Sequence, residues 1–266
     1  MEDSFLSPST CPQTVICNSI KKTSMFVNIK KYEHKELDEL FKDFLSKGGG
    51  LHFHPFVIEK NYRDEIPEKA YQRHLLVARQ TLEQINYQSN FHNNKQIGSI
   101  NHGIPHLATT NHELLNSSGK QIKLDNFFGY LFDVETKTTF VRGRKNYANQ
   151  YFKHTTKETE ENIVNIQERI NLHESRYEIH DGNFVYAFME PPFSLQTGET
   201  IYERGEYFNN FIQNTFDDIT KLEVFTWSKD CHNFFAAGKE WWGSYFWTVF
   251  NPIKNIYLGI VGSETD

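Results

Sequence analysis

Two histidines one residue apart, His52 and His54, form the sharpest pattern in the sequence that could support chemistry. They lie in the apolar run LHFHPFVI, which predicts a β-strand over residues 51–58. Because residues i and i+2 of a strand share a face, both imidazoles would point the same way, while Leu51 and Phe53 would face the core. Two neutral imidazoles can bind a divalent metal ion such as zinc, and a zinc-bound water is nucleophilic near neutral pH. The pair therefore predicts a metal site.

The long polar stretch over residues 88–119 could supply the remaining metal ligands. Its candidate ligands are His102, His106 and His112, and Asp125 follows shortly after. A connection of that length is usually functional or mobile. The alternative is that these imidazoles are hydrogen-bonded or exposed and bind no metal, because histidine is common in this chain, with 12 residues.

The segment LHFH is similar to the H-x-H that opens the metal site of many amidohydrolase-type enzymes. The resemblance covers residues 51–54. It implies further His and Asp ligands at the ends of later strands, inside an eightfold β/α barrel. The rest of the sequence departs from that fold, because it predicts about four helices and a hairpin-rich order of strands.

The second candidate site is an aromatic block near the C-terminus, where all four tryptophans lie between positions 227 and 247. The proposed partner-binding residues are Trp227, Glu240, Trp241, Trp242 and Tyr245. Tryptophan and tyrosine are enriched in binding hot spots. Adjacent strand residues face opposite sides, so Trp241 and Trp242 cannot both enter the core of a sheet covered on one side. We therefore expect an exposed patch with at least two of the tryptophans; the alternative is a hydrophobic core built on a terminal hairpin.

Three shorter motifs could carry chemistry, and each has a simpler interpretation. Cys231 precedes His232, which suggests a nucleophile and base or a small buried thiol. The tetrapeptide at Glu190, EPPF, looks like the [DNS]-P-P-[FYW] motif of amino-group methyltransferases, but it has Glu where that family has Asn or Asp, and the glycine-rich cofactor turn is missing. The basic run RGRK over residues 142–145 could hold a phosphate or form a solvated turn.

Composition and charge exclude several classes of protein. The chain has 266 residues and a formal net charge of −6, which disfavours broad binding to nucleic acid or to anionic membranes. Its 23 Phe, 13 Tyr and 4 Trp argue against disorder. No apolar run is long enough to span a membrane, the first residues do not resemble a secretory signal, and only three cysteines are present. We therefore expect a cytoplasmic protein with reduced thiols.

Periodicity and turn signals predict the elements that would position these sites. The predicted helices cover residues 32–47, 67–85, 163–170 and 200–216. The predicted strands cover residues 25–29, 51–58, 127–134, 138–142, 183–189, 222–227, 244–250 and 255–261. Pro55 is expected to make its strand an edge strand or to force a bulge. The pattern predicts an α+β fold with a largely antiparallel sheet, about four helices and a C-terminal β-hairpin.

We expect a polar N-terminal segment over residues 1–24 and a single α+β domain over residues 25–266, with a weak subdivision near residues 175–183 left open. Two functional hypotheses remain. The first is a soluble binding protein, immunity- or adaptor-like, without a cofactor, that engages a protein or small-molecule partner through the aromatic block and an acidic surface. The alternative is a metal-dependent hydrolase that uses the paired histidines and the loop histidines.

Overall fold

The computed structural model describes residues 28–59, 69–96, 108–171, 183–240 and 242–264. The α-helices in these ranges are Lys35–Ser46 (α1), Ala70–Gln96 (α2), His112–Ser118 (α3), Leu124–Phe128 (α4), Ile166–Asn171 (α5), Phe184–Met189 (α6) and Ile201–Phe216 (α7). The strands are Asn28–Lys31 (β1), His52–Glu59 (β2), Lys120–Ile122 (β3), Phe132–Asp133 (β4), Thr138–Arg142 (β5), Tyr151–Lys153 (β6), Glu223–Thr226 (β7), Ser244–Asn251 (β8) and Ile256–Ser263 (β9). Within the described ranges, the search for a helix that is both long and apolar enough to cross a membrane finds none.

Six of the strands form one antiparallel sheet in the order β1-β2-β9-β8-β7-β3, and β4, β5 and β6 form a second, three-stranded sheet. The hairpin of β8 and β9 is central to the large sheet, and its register runs from Ser244↔Ser263 to Asn251↔Ile256. The four longest helices are α1, α2, α3 and α7. The predicted α+β class, with a largely antiparallel sheet and a C-terminal hairpin, is confirmed.

Helices cover both faces of the large sheet. On one face, the Phe53 ring of β2 packs against phenylalanine rings of α1 and α7. On the other face, His54 Nδ1 lies 2.8 Å from Oε1 of Gln84 on α2. Helix α2 comes this close because position 259 of β9 is glycine, and a Cβ atom there would overlap Thr81. Both sides of a central strand are therefore buried, as in sheets that lie between two helical layers.

The two helices that sequence periodicity predicts best are α1 and α7. Helix α1 buries one stripe, formed by Leu37, Phe41 and Phe44. Gly48 follows it with φ +88°, a backbone conformation that glycine adopts without strain. Helix α7 begins with a capping box, in which Thr200 accepts a hydrogen bond from the N–H of Glu203 and the Glu203 carboxylate accepts one in return.

Two of the predicted strands are wrong in whole or in part. Residues 183–189 contain helix α6, and five of its six residues are buried, all but Tyr186. A helix buried on nearly every side has no polar stripe, so its apolar run is typical of a buried strand as well. The strand predicted over residues 127–134 divides into α4 and the two-residue strand β4, because Gly129 at φ +79° redirects the chain between them.

Strand β2 is not an edge strand over its whole length, contrary to the expectation from Pro55. It pairs with both β1 and β9, in continuous register with β9 from His52 to Phe56. The N–H of Tyr32 donates to the carbonyl of Pro55 at 2.8 Å, so the proline nitrogen also faces the β1 side. Pro55 has no N–H to donate to β1. This gap falls where the hydrogen-bond ladder between β1 and β2 ends, because β1 ends one residue before Tyr32.

The remaining differences concern connections. Helix α2 runs to Gln96, and α3 lies inside the stretch 88–119 that the sequence predicts to be irregular. Helix α5 starts at Ile166, later than predicted. The predicted N-terminal segment over residues 1–24, and all but the last residue of the subdivision expected near 175–183, lie outside the described residues, so both stay predictions.

Candidate functional site

The aromatic block near the C-terminus is part of the core. Trp227, Trp242 and Trp247 are only 3%, 3% and 6% exposed, and Tyr245 is 2% exposed. The expected exposed patch with at least two tryptophans is therefore wrong. Its premise was a sheet covered on one side, whereas helices cover both faces here, so neighbouring strand residues can both be buried. Trp241 and the side chain of Glu240 lie outside the described residues.

The two histidines of β2 lie on the α2 face, as the strand spacing predicts. His54 is 6% exposed, and burial lowers its pKa to about 4, so its imidazole is neutral at physiological pH. Its Nδ1 is hydrogen-bonded to Gln84, while its Nε2 is buried and has no hydrogen-bond partner among the described residues. His52 is half-buried, and burial lowers its pKa as well. The pair thus offers neutral imidazoles, the form that binds metals.

A complete metal site is not formed by the described residues. No group of three or more His, Cys, Asp or Glu side chains that could hold a metal ion occurs among them. His112 on α3 and Asp125 on α4 are exposed. His102 and His106 lie outside the described ranges, so their predicted role as ligands stays a prediction.

A buried network around His74 has the distances of a catalytic triad. The Nδ1 atom of His74 lies 2.8 Å from Oγ1 of Thr248, and its Nε2 lies 2.9 Å from Oε1 of Glu223. Trp227 Nε1 donates to the same hydroxyl at 2.9 Å, so the Thr248 O–H is left to donate to Nδ1 and the imidazole donates to Glu223. His74 and Thr248 have no exposed surface, so no substrate can reach them. This network satisfies buried polar groups.

Cys231 and His232 do not form a nucleophile–base pair. The thiol is buried, and burial raises its pKa to about 12, so it is not a thiolate at neutral pH. The imidazole accepts from the N–H of Phe234 through Nδ1 and bonds Asn86 through Nε2. Both ring nitrogens of His232 are therefore used in local structure, and the simpler interpretation of a small buried thiol fits.

An open cleft of about 910 Å³ lies between α1 and the C-terminal end of α7. Its size is in the range of ligand-binding clefts, roughly 300–1,000 Å³. The lining residues are Tyr32, His34, Glu36, Leu37, Glu39, Leu40, Asp43, Gln213, Asn214, Asp217 and Lys254. The cleft thus combines an apolar part from α1 with four carboxylates, one lysine ammonium and two rings. Tyr32 and His34 stack with ring centroids 5.7 Å apart.

Some charged side chains of this acidic cleft are already bonded to other groups of the chain, and others are open to solvent. Lys254 Nζ donates to the carbonyls of Asn214 and Thr215, where it caps the C-terminal end of α7. Lys47 holds the pKa of Asp43 below its usual range, and the Tyr207 hydroxyl donates to the same carboxylate at 2.9 Å. The carboxylates of Glu36, Glu39 and Asp217 belong to exposed residues and remain accessible to a bound cation, although Lys35 Nζ already lies 3.8 Å from Oε1 of Glu39.

Sequence reasoning did not identify this cleft. One signal was present, because Glu36, Glu39 and Asp43 lie at helical spacings of three and seven and therefore share one face of α1. The opposite wall comes from Asp217 and Lys254, which are remote in sequence and meet α1 only through the tertiary fold.

Comparison with protein-family models, with curated proteins and with solved structures finds no match to this chain.

Proposed function

We propose that the chain is a cytoplasmic binding protein that holds a basic segment of a protein partner in the acidic cleft. The observation that carries this proposal is the cleft itself, about 910 Å³ in volume. Four carboxylates line it, of which Asp43 is already paired with Lys47, and its one ammonium, that of Lys254, is bonded to the end of α7. This keeps the binding hypothesis from the sequence but moves the contact surface from the aromatic block to α1 and α7. The free, buried Cys231 thiol is compatible with a reducing compartment.

The composition of the cleft favours a lysine or arginine side chain as its occupant. Such side chains bury an apolar stem and keep a charged end in a polar setting. Leu37 and Leu40 with the Tyr32 ring would contact the stem, while the carboxylates would contact the cation. Each exposed pair contributes little, about 0–1 kcal/mol, so useful affinity requires several basic residues on one partner. We therefore expect a basic peptide segment and not an isolated amine.

The first prediction concerns the carboxylates of the cleft. The triple variant Glu36→Gln, Glu39→Gln, Asp217→Asn should weaken binding of a fluorescent peptide of alternating Arg and Leu by roughly 10- to 100-fold, since three attractive pairs are lost. Asn suits position 217, where φ is +61°, because it matches Asp in shape and both residues are enriched among non-glycine residues with positive φ. Fluorescence anisotropy at low ionic strength measures the effect, and salt should weaken binding to the unmodified protein.

The matched control removes the same amount of charge elsewhere. Glu135, Glu160 and Glu161 are exposed and do not line the cleft. If their triple change to Gln weakens binding as much as the cleft variant does, the peptide responds to net charge alone and the proposed site is wrong. A peptide of alternating Glu and Leu should not bind, because it would meet like charges.

A second candidate function, a metal-dependent hydrolase at His52 and His54, is favoured by one observation. Within the part of the chain that the structure describes, the buried Nε2 atom of His54 has no hydrogen-bond partner, while Nδ1 lies 2.8 Å from the side-chain amide oxygen Oε1 of Gln84. If Nδ1–H donates to that oxygen, Nε2 keeps its lone pair, an arrangement typical of metal-ligating histidines. The pair supplies two ligands, so any further ligands would come from outside the described residues.

The second prediction tests this candidate. Zinc titrated against the protein, with a chromophoric chelator as competitor, should bind with about one ion per chain. The variant His54→Ala should lose this binding, whereas His112→Ala, which removes an exposed imidazole of α3, should retain it. Equal zinc binding by the protein and the His54 variant, or none by either, would contradict a metal function for β2.

A further inference from the structure

A second polar site lies at the junction of the small sheet with α6 and α7. Arg142 ends β5, and Tyr151, which starts β6, is its direct cross-strand partner. Directly opposed residues of an antiparallel pair place their side chains on the same face, with Cβ atoms about 5 Å apart. Glu190 at the end of α6 and Arg204 in the first turns of α7 complete the charged part of the site. Residues far apart in the sequence thus meet here.

The charged groups are close but are not tightly paired. Arg204 Nη2 lies 3.4 Å from Oε1 of Glu190, and Arg142 Nη1 lies 3.8 Å from Oε2 of the same carboxylate. Charge-assisted hydrogen bonds are usually about 2.7–2.9 Å long. Arg204 is held by another bond, because its Nη1 donates to the Arg142 carbonyl at 3.1 Å. Arg142 Nε donates to the Ala148 carbonyl and Nη2 to Oδ1 of Asn149, and the side chain is 44% exposed, so it is Nη1 that solvent and ligands can reach.

Three half-buried tyrosines interact electrostatically with Glu190 and Arg142, and we name them the tyrosine cluster: Tyr130, Tyr151 and Tyr186. The rings of Tyr130 and Tyr186 lie 6.4 Å apart. Burial is the largest cause that raises the pKa of each phenol, and the negative charge of Glu190 adds to it, so all three are neutral donors at physiological pH. Among the residues that the structure describes, none of their hydroxyls has a hydrogen-bond partner. Three donors therefore remain unused beside the arginine guanidinium groups.

We propose that Arg142 and the hydroxyls of the tyrosine cluster bind the carboxylate of an organic acid. A guanidinium group matches a carboxylate in geometry and charge, and phenol O–H groups donate to its remaining lone pairs. Glu190 offsets the charge of Arg204, so the site as a whole carries about one positive charge and suits a monoanion. Glu190 repels any anion, but a monoanion leaves the site neutral, whereas the second charge of a phosphate dianion would face Glu190 with no cation left to offset it. The tyrosine rings favour an aromatic acid, because rings pack against rings.

Isothermal titration calorimetry with benzoate, acetate and inorganic phosphate tests this proposal. We expect benzoate to bind with one site per chain, more tightly than acetate, and phosphate to bind most weakly. The variant Tyr151→Phe removes a single hydroxyl and should weaken benzoate binding about three- to tenfold. Arg142→Gln should weaken it at least about tenfold, because a charged partner is lost.

Matched controls lie outside the site. Tyr87→Phe changes a tyrosine that is 73% exposed on α2, and Arg79→Gln changes an arginine of the same helix; neither should alter benzoate binding. Absence of benzoate binding, tighter binding of phosphate, or equal binding by the protein and Tyr151→Phe overturns the proposal. Because Arg142 also supports the turn around Ala148, Tyr151→Phe decides the outcome if the arginine variant unfolds.

Discussion

Replacing Trp227 by alanine is expected to lower the free energy of unfolding by about 3–5 kcal/mol, as large-to-small changes of buried aromatic residues do. Trp227 is 3% exposed and packs with Tyr71 and Phe246 against the α2 side of the sheet. The change also removes the donor to Thr248, which belongs to the buried network of His74. Urea denaturation followed by far-ultraviolet circular dichroism measures the loss.

Two further variants make this prediction specific. Trp227→Phe keeps a ring but loses the Nε1 donor, so it should cost less than the alanine change, about 1–2 kcal/mol for the hydrogen bond. Tyr87→Ala removes a ring that is 73% exposed and should change stability by no more than about 0.5 kcal/mol. If Trp227→Ala were as mild as Tyr87→Ala, the indole would act as a surface anchor and not as core.

Acid is expected to destabilise the fold through His232 by up to about 3 kcal/mol between pH 7 and pH 4. Burial lowers the pKa of this imidazole to about 4, below the ordinary value of 6.5. As pH falls below 6.5, the unfolded chain binds a proton that the folded chain does not, so unfolding becomes more favourable. The contribution of His232 is thus fully present above pH 6.5 and is lost as pH falls towards about 4.

The variant His232→Gln isolates this contribution, because it cannot titrate. Unfolding free energies of both proteins should be measured by urea denaturation at several pH values between 8 and 4. The unmodified protein should lose about 3 kcal/mol more than the variant over this interval. Parallel pH profiles for the two proteins would show that the folded environment does not disfavour the charged imidazole.

The parts of the fold that the sequence predicts correctly are those where local signals and tertiary burial agree. Helix α1 buries one stripe and leaves its other face polar, so its periodicity is plain. Helix α7 has Thr200 and Glu203 at the spacing of a capping box. In the hairpin of β8 and β9, the turn at Asn251 and Pro252 separates two apolar runs.

The parts that the sequence does not predict depend on what covers an element. Helix α6 is apolar on nearly all sides. The sequence pattern of residues 184–189 therefore does not distinguish such a helix from a buried strand. The residues of the aromatic block favour a surface patch, because nothing in them indicates a second helical layer over the sheet. The contacts of α2 with β2 and β9, made close by Gly259, show that this face is covered.

The candidate sites illustrate the same limit. The spacing of His52 and His54 correctly predicts that both lie on one face of a strand. The acidic cleft could not be predicted, because its walls come from helices separated by more than a hundred residues and from the turn at Lys254. The basic residue Arg142 and the EPPF motif at Glu190 were each noticed alone, and only the fold brings them together.

The burial of three indoles in one region of the chain gives the protein an internal optical reporter. Trp227, Trp242 and Trp247 are all shielded from water, so their ultraviolet emission should lie at short wavelength and shift to the red when the C-terminal sheet opens. None of them lines the acidic cleft. In a Trp241→Phe variant, which leaves these three indoles alone, an emission change on addition of a basic peptide would therefore reveal conformational coupling between helix α1 and the sheet, and not contact of the peptide with an indole.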